Sequence, residues 1–304
     1  MHEFAGRTVR GLEALDVVRV WAETTERELQ ADPFQRDVDF LRRMLPLMET
    51  WSRYFDGEVR GLDAVPAAGP ALLVGNHSGG MLTPDTTVLI AAWYRARGIE
   101  RSLIGLAFDA AFGIPAFRRL MRRIGEVPAN RENASRALDA GHVVLVYPGG
   151  DHECFRPWID RNRIDFHGRS GFVRLALRKQ VPVVPVVSHG GHHSTYILTR
   201  GEWIGRLLGT QRVRTPTFPL VWQLPWGLSP LALPGLPLPA KITAQVLEPM
   251  SWSAYGPEAA DDPAIVERCY HEITGRMQAT LDRLAAEHPW PVLGRIAKLL
   301  PGGR

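Results

Sequence analysis

The sequence predicts an α/β fold: a mostly parallel central sheet flanked by helices, with N-terminal helices ahead of it. Three observations predict it. Short apolar, β-branched runs alternate with stretches whose apolar residues recur at helical spacing. Strands alternating with helices pair in parallel, with helices covering both faces. The glycine turns richest in His, Asp and Glu directly follow apolar runs, and the carboxyl ends of strands are where an open α/β sheet carries its chemistry.

Residues 1–56 read as amphipathic helices. Leu12, Leu15, Val18 and Val20, then Phe40, Leu41, Met44, Leu45, Met48 and Trp51, recur at helical spacing, with a break near Ala31-Asp32-Pro33. Gly57 to Gly69 is turn-rich, and 71–76, ALLVGN, is a buried strand. A helix follows over 85–97, a strand over 102–107, a helix carrying Arg118, Arg119, Arg122 and Arg123, and a helix over 134–140. Residues 142–148, HVVLVYP, suit a central strand, and they empty into Pro-Gly-Gly-Asp-His-Glu. A helix over 170–180 and a strand over 181–191 come next. Residues 202–240, with Trp203, Trp222, Trp226 and many prolines, match no regular element and read as a lid or membrane-facing excursion. A last strand over 241–250, a helix over 263–287 and an amphipathic tail over 291–304 complete a chain whose main domain spans 57–290.

The 304 residues are 45% hydrophobic and 22% charged, enough apolar matter for one large core. A net charge of +4 suits anionic lipid and is too small to indicate nucleic acid. Cys154 and Cys269 have neither metal nor redox spacing, so free thiols and a reducing compartment are expected. The N-terminus lacks the apolar run of a signal peptide, and every long apolar stretch is broken by charge or proline. Any membrane contact is therefore expected to be peripheral, on the cytoplasmic face, through the Trp/Pro excursion and the tail WPVLGRIAKLLPGG.

Residues 75–85, GNHSGGMLTPD, place one imidazole and one carboxylate close together after a strand. An imidazole near its ordinary pKa accepts a hydroxyl proton at neutral pH, and a carboxylate on its other nitrogen fixes the tautomer. The plainer alternative is that Asn76, His77 and Ser78 satisfy backbone groups while Asp85 or Thr83 caps the next helix.

Read with the segments downstream, the chain resembles the glycerolipid (lysophospholipid) acyltransferase family over about residues 54–250. The family's first motif is Asn-His, four residues and Asp; here Asn76-His77 match and the acid stands at Asp85, after seven residues. The second motif, a glycine loop with a phosphate-contacting arginine, is matched by Gly113 to Arg119, with Arg118 or Arg119 in that role, and GEVPANR at 125–131 resembles the segment before the third motif. The third, Phe-Pro-Glu-Gly-Thr-Arg in phosphate-acceptor members, is replaced by Tyr147-Pro148-Gly149-Gly150-Asp151-His152-Glu153. That form resembles the diacylglycerol acyltransferase-related branch, which acylates less phosphorylated alcohols. The fourth, an apolar strand with prolines, is matched at 181–186.

The resemblance implies an O-acyltransferase that moves a fatty acyl group from acyl-CoA or acyl carrier protein to a hydroxyl of a glycerolipid or other lipid acceptor. His77 is the implied general base and Asp85 its partner. Asn76, Ser78, Gly79, Gly80, Arg118, Arg119, Pro148, Gly149, Gly150 and Glu153 are the implied substrate-binding residues, with oxyanion donors at 79–80 or 149–150. No metal or cofactor is called for; His189, His192 and His193 lack acidic or cysteine partners at recognised zinc spacing. The rival readings are a non-catalytic lipid-binding protein that keeps the fold, and a serine lipid hydrolase using Ser78 or Ser170, neither of which stands in a Gly-x-Ser-x-Gly elbow. The acceptor, the chain length and the oligomeric state are not legible.

Overall fold

The computed structural model describes residues 34–299 apart from 109–111, 113–114, 209–217, 232 and 234. The first of the expected N-terminal helices and the last residues of the tail, 300–304, lie outside the described residues. The chain runs through α1 (Val38–Tyr54), β1 (Glu58–Arg60), β2 (Ala71–Gly75), α2 (Pro84–Arg97), β3 (Leu103–Ala107), α3 (Pro115–Ile124) and β4 (Glu126–Pro128). It continues with α4 (Arg131–Asp139), β5 (Val143–Val146), α5 (Gly150–Cys154), α6 (Gly171–Lys179), β6 (Val183–His189) and α7 (Gly191–Ser194). Then follow β7 (Tyr196–Thr199), α8 (Glu202–Leu208), β8 (Leu220–Gln223), β9 (Gly227–Pro230), β10 (Thr243–Val246), α9 (Pro263–Glu287) and α10 (Pro291–Leu299).

Seven strands form the central sheet in the order β1-β10-β6-β2-β5-β3-β4. From β6 to β4 every pairing is parallel; β10 runs antiparallel to β6, and β1 lies parallel to β10. The inner strands are covered on both sides, which is why they are unbroken β-branched runs. Leu72, Val74, Ile104 and Val144 face one core layer with α4, α6 and α9. Leu73, Leu103, Val143 and Leu145 face the other, beneath Leu41 of α1 and Leu89, Trp93 and Tyr94 of α2. Three helices start at a side-chain cap: Asp37, Asn130 and Asp262 each accept an amide of the first turn.

Among the described residues the expected strands and helices are present within a few residues of their anticipated ends, and the mostly parallel sheet stands as anticipated. Three features differ. The turn-rich segment 57–69 contains β1, and 126–128 form β4; both are three-residue edge strands held by their neighbours' pairing, with no apolar run of their own. The excursion over 202–240 is partly regular: α8 is followed by β8 and β9, which pair with β7 as a three-stranded antiparallel sheet. Its alternation is real, with Val221, Gln223 and Ser229 buried and Trp222 and Leu228 exposed, but the surrounding prolines mask it.

Candidate active site

The carboxyl ends of β2 and β5 assemble the site. Gly75, at the end of β2, has no room for a side chain, because a Cβ there would stand 2.5 Å from the Tyr147 ring that leans over from β5. The His77 imidazole stacks on that ring at 4.2 Å between centroids and 14° between planes. Beyond it the loop turns left-handed at Gly79, Gly80 and Thr83, with φ of 89°, 66° and 37°, making a short 3₁₀ turn before Pro84 opens α2. The seven residues between His77 and Asp85 are thereby folded away, and Asp85 returns to the imidazole.

Asp85 Oδ2 lies 3.2 Å from His77 Nδ1 and accepts the Ser78 amide at 2.8 Å; Oδ1 accepts the Thr86 amide at 2.8 Å. The carboxylate therefore does both things weighed from the sequence: it orients the imidazole and satisfies backbone donors where α2 begins. With only 1% of its side chain exposed it is fixed, while His77 keeps 15% of its own exposed. Burial lowers the His77 pKa, but Asp85, then Glu153 and Glu126, outweigh it, so the net shift is upward from 6.5. With Nδ1 turned to Asp85, Nε2 is the nitrogen left at the opposite ring edge.

Several residues implied as substrate contacts instead brace this arrangement. Both amide atoms of Asn76 are committed to Ser188 of β6: Nδ2 donates to its carbonyl at 2.9 Å, and Oδ1 accepts its amide at 2.7 Å. Ser78 is buried, with its hydroxyl donating to Asp85 at 3.3 Å. Glu153 is wholly enclosed; Oε2 accepts the His77 amide at 3.1 Å, and Oε1 accepts Arg156 Nη2 at 3.1 Å and the Asp165 amide at 3.2 Å. Burial pushes Glu153 up to about 7 against the pull of Arg156 and those amides, and both oxygens only accept, as the ionised form requires. Pro148 and Gly149 are buried beside it, and a Cβ on Gly149 would fall 2.1 Å from Glu153 Cγ. The acidic cluster after the glycines diverges: Asp151 pairs with Arg169, and His152 lies 3.2 Å from Asp165 and stacks on His167.

Of the two glycine turns, the Gly150 amide already donates to Tyr147 O at 3.0 Å. Arg118 is half-buried and Arg119 exposed on α3, and Gly113 and Ile114 of the second motif lie outside the described residues. Cys154 and Cys269 are free and buried. Cys154 Sγ donates to Gly80 O at 2.9 Å, and burial raises its thiol well above its ordinary value. Sequence reasoning left out Tyr147, Arg156 and Glu126 as site residues. Tyr147 had a legible signal, since it ends the strand parallel to the one that carries His77.

Residues 56–189, from the end of α1 through β6, match the family model described as Acyltransferase. The chain is 33% identical over 262 residues to an uncharacterized protein of Mycobacterium tuberculosis, covering 85% of this chain and 70% of the other. It is 30% identical over 166 residues to diacylglycerol O-acyltransferase 2 of Danio rerio, covering 51% of this chain and 44% of that one. The chain belongs to the glycerolipid acyltransferase family. The acyltransferase also shares its fold with the 1-acyl-sn-glycerophosphate acyltransferase PlsC of Thermotoga maritima, with a TM-score of 0.50 at 16% identity over 88% of this chain and 89% of the other. The matched span of the acyltransferase contains His77, Asp85 and the whole 147–153 turn.

Proposed function

We propose that the site moves a fatty acyl group from an acyl thioester, acyl-CoA or acyl carrier protein, to a hydroxyl of a glycerolipid or other lipid acceptor, with His77 as general base. The observation that carries this reading is the Asp85–His77 pair, 3.2 Å apart, with the imidazole stacked on Tyr147 and part of its ring open to solvent. Nε2 takes the acceptor's proton as its oxygen attacks the thioester carbonyl. Amides of the Gly79–Gly80 turn stabilise the tetrahedral oxyanion, a contribution worth about 3 kcal/mol per donor. Collapse expels the thiolate, which takes the proton back from the imidazolium. The hydrolase reading has less support, because the Ser78 hydroxyl donates to Asp85 and is buried.

As part of the same proposal, the acceptor lies in a membrane surface and the protein works from its cytoplasmic face. Trp203, Leu207, Trp226 and Leu228 of the excursion, and Trp290 and Leu293 at α10, are exposed apolar side chains that suit an interfacial footing. No helix of the described residues is long and apolar enough to cross a membrane. Flotation with anionic vesicles at low salt tests the footing, and failure to float removes it. The reaction is tested by mass-spectrometric product detection for wild type and His77→Ala, with oleoyl-CoA against a panel of lysophospholipids, glycerol 3-phosphate, diacylglycerol and long-chain alcohols. A product lost in folded His77→Ala supports the transferase; equal product from both removes the base.

A further inference from the structure

One titratable side chain near His77 has no place in this mechanism. Leu73, Leu145, Gly105 and Glu126 form one row across β2, β5, β3 and β4 through their pairing registers, on the sheet face that carries Tyr147 and His77 two and four residues further along. The Glu126 side chain lies across Gly105: a Cβ there would stand 2.3–2.4 Å from its carboxyl atoms. Tyr147, at the end of β5, leans the same way across the sheet, over Gly75 of β2, so its ring lies on the side away from Glu126. The Glu126 carboxyl over β3 and the Tyr147–His77 pair over β2 thus flank the carboxyl end of β5. Glu126 is half-buried and keeps accessible surface, yet its surroundings desolvate it enough to push it up to about 7, with His77 the one charge pulling it down. No hydrogen bond or ion pair to its carboxyl is made among the described residues. A group that pays for desolvation without an internal partner, while facing accessible space, is positioned for a ligand.

We propose that Glu126 is a specificity-determining residue of this cleft: it accepts a hydrogen bond from an uncharged hydroxyl, or pairs with a cationic group, on the acceptor, and it rejects an acceptor with a phosphate at that place. This rests on the acyltransfer reading of the site. An apolar acyl chain gains nothing from a carboxyl, and a phosphate beside it meets like-charge repulsion. Above pH 7, where Glu126 is ionised, a unit charge about 7 Å away at an effective dielectric of about 20 is worth more than a factor of ten. Solvent in a half-open cleft brings the expectation down to roughly tenfold.

The test compares wild type with Glu126→Gln, which keeps shape and removes charge, and with Glu126→Ala, each checked for folding by circular dichroism. With oleoyl-CoA as donor, the ratio of kcat/KM for monooleoylglycerol to that for oleoyl lysophosphatidate is expected to fall roughly tenfold in Glu126→Gln. Independently of turnover, calorimetric binding of glycerol 3-phosphate to the folded protein is expected to tighten by a similar factor. Selectivity and glycerol 3-phosphate affinity both unchanged in the two variants overturn the proposal. So does a shift confined to donor chain length, which would make the carboxyl the end of the acyl groove. If wild type transfers to no acceptor, the acyltransfer reading falls, while the binding comparison still decides whether Glu126 repels phosphate.

Discussion

Replacing Asp85 by Asn removes one charge and almost no volume, so it isolates what the carboxylate does for His77. The pair lies 3.2 Å apart with Asp85 out of solvent. At such range and an effective dielectric of about 20, two unit charges attract by about 4 kcal/mol. That attraction exists only while the imidazole is protonated, which is the state it enters in the transition state. Losing it corresponds to about a thousandfold in kcat, with KM nearly unchanged. The amide also cannot accept everywhere the carboxylate does. Ser78 N–H and Thr86 N–H sit on opposite oxygens, so one of them loses its acceptor, at about 1–3 kcal/mol of stability. The pH profile adds an internal control. Burial lowers the His77 pKa and Asp85 leads the contributions that raise it, so without Asp85 the pKa falls and the acid limb of kcat moves to lower pH. The defect of Asp85→Asn should therefore shrink as pH falls. Acyl-transfer kinetics from pH 5 to 9 on variants of verified fold read all of this. Activity within about tenfold of wild type, or an acid limb that stays in place, would refute the assignment of Asp85.

Arg156→Ala leaves Glu153 buried without its cation and should cost about 3–5 kcal/mol, read as a lower urea midpoint. Tyr147→Phe removes the hydroxyl that Thr86 Oγ1 donates to at 3.1 Å but keeps the ring on His77. It should cost about 1 kcal/mol in stability and leave kcat within a few-fold, whereas Tyr147→Ala should lower kcat well beyond that in the same assay. Because burial keeps the Cys154 thiol protonated at neutral pH, iodoacetamide should leave transfer intact, and Cys154→Ala should remain active; loss of transfer in a folded Cys154→Ala would bring the thiol into the chemistry.

Strands built from runs such as ALLVG and VVPVVSH were legible because burial on both faces demands unbroken apolar residues, a local property of the sequence. The edge strands were not legible, since Glu58-Val59-Arg60 and Glu126-Val127-Pro128 owe their extension to β10 and β3, far away in the chain. The same division runs through the site. His77 stood out because its motif is contiguous, and Asp85 was the nearest acid. What returns Asp85 to the imidazole is a sequence of left-handed turns at Gly79, Gly80 and Thr83, and the threonine carries no signal for such a turn. The roles of Asn76, Ser78 and Glu153 could not be read from a motif either. A polar residue beside a base looks the same in sequence whether it faces the substrate or straps the loop from behind, and only the positions of Ser188, Arg156 and Asp165 separate the two.

Three carboxyls surround one imidazole, and how each is neutralised distinguishes their duties. Asp85 is held by the Ser78 and Thr86 amides and directed at Nδ1. Glu153 is held by Arg156 and the Asp165 amide, which balances it locally and leaves its remaining hold to position the His77 backbone. Glu126 has no such support among the described residues, and His77 is the one charge that draws it down. The partial exposure of Glu126 leaves room for a donor carried by the substrate, where the other two are satisfied by the protein. On the proposed reading, the pattern separates a base fixed by the fold from a selectivity carboxyl whose partner arrives with the substrate. The braces on His77 come from β6, α2 and α5, whereas Glu126 stands on β4 over a glycine of β3 and acts on His77 through its charge.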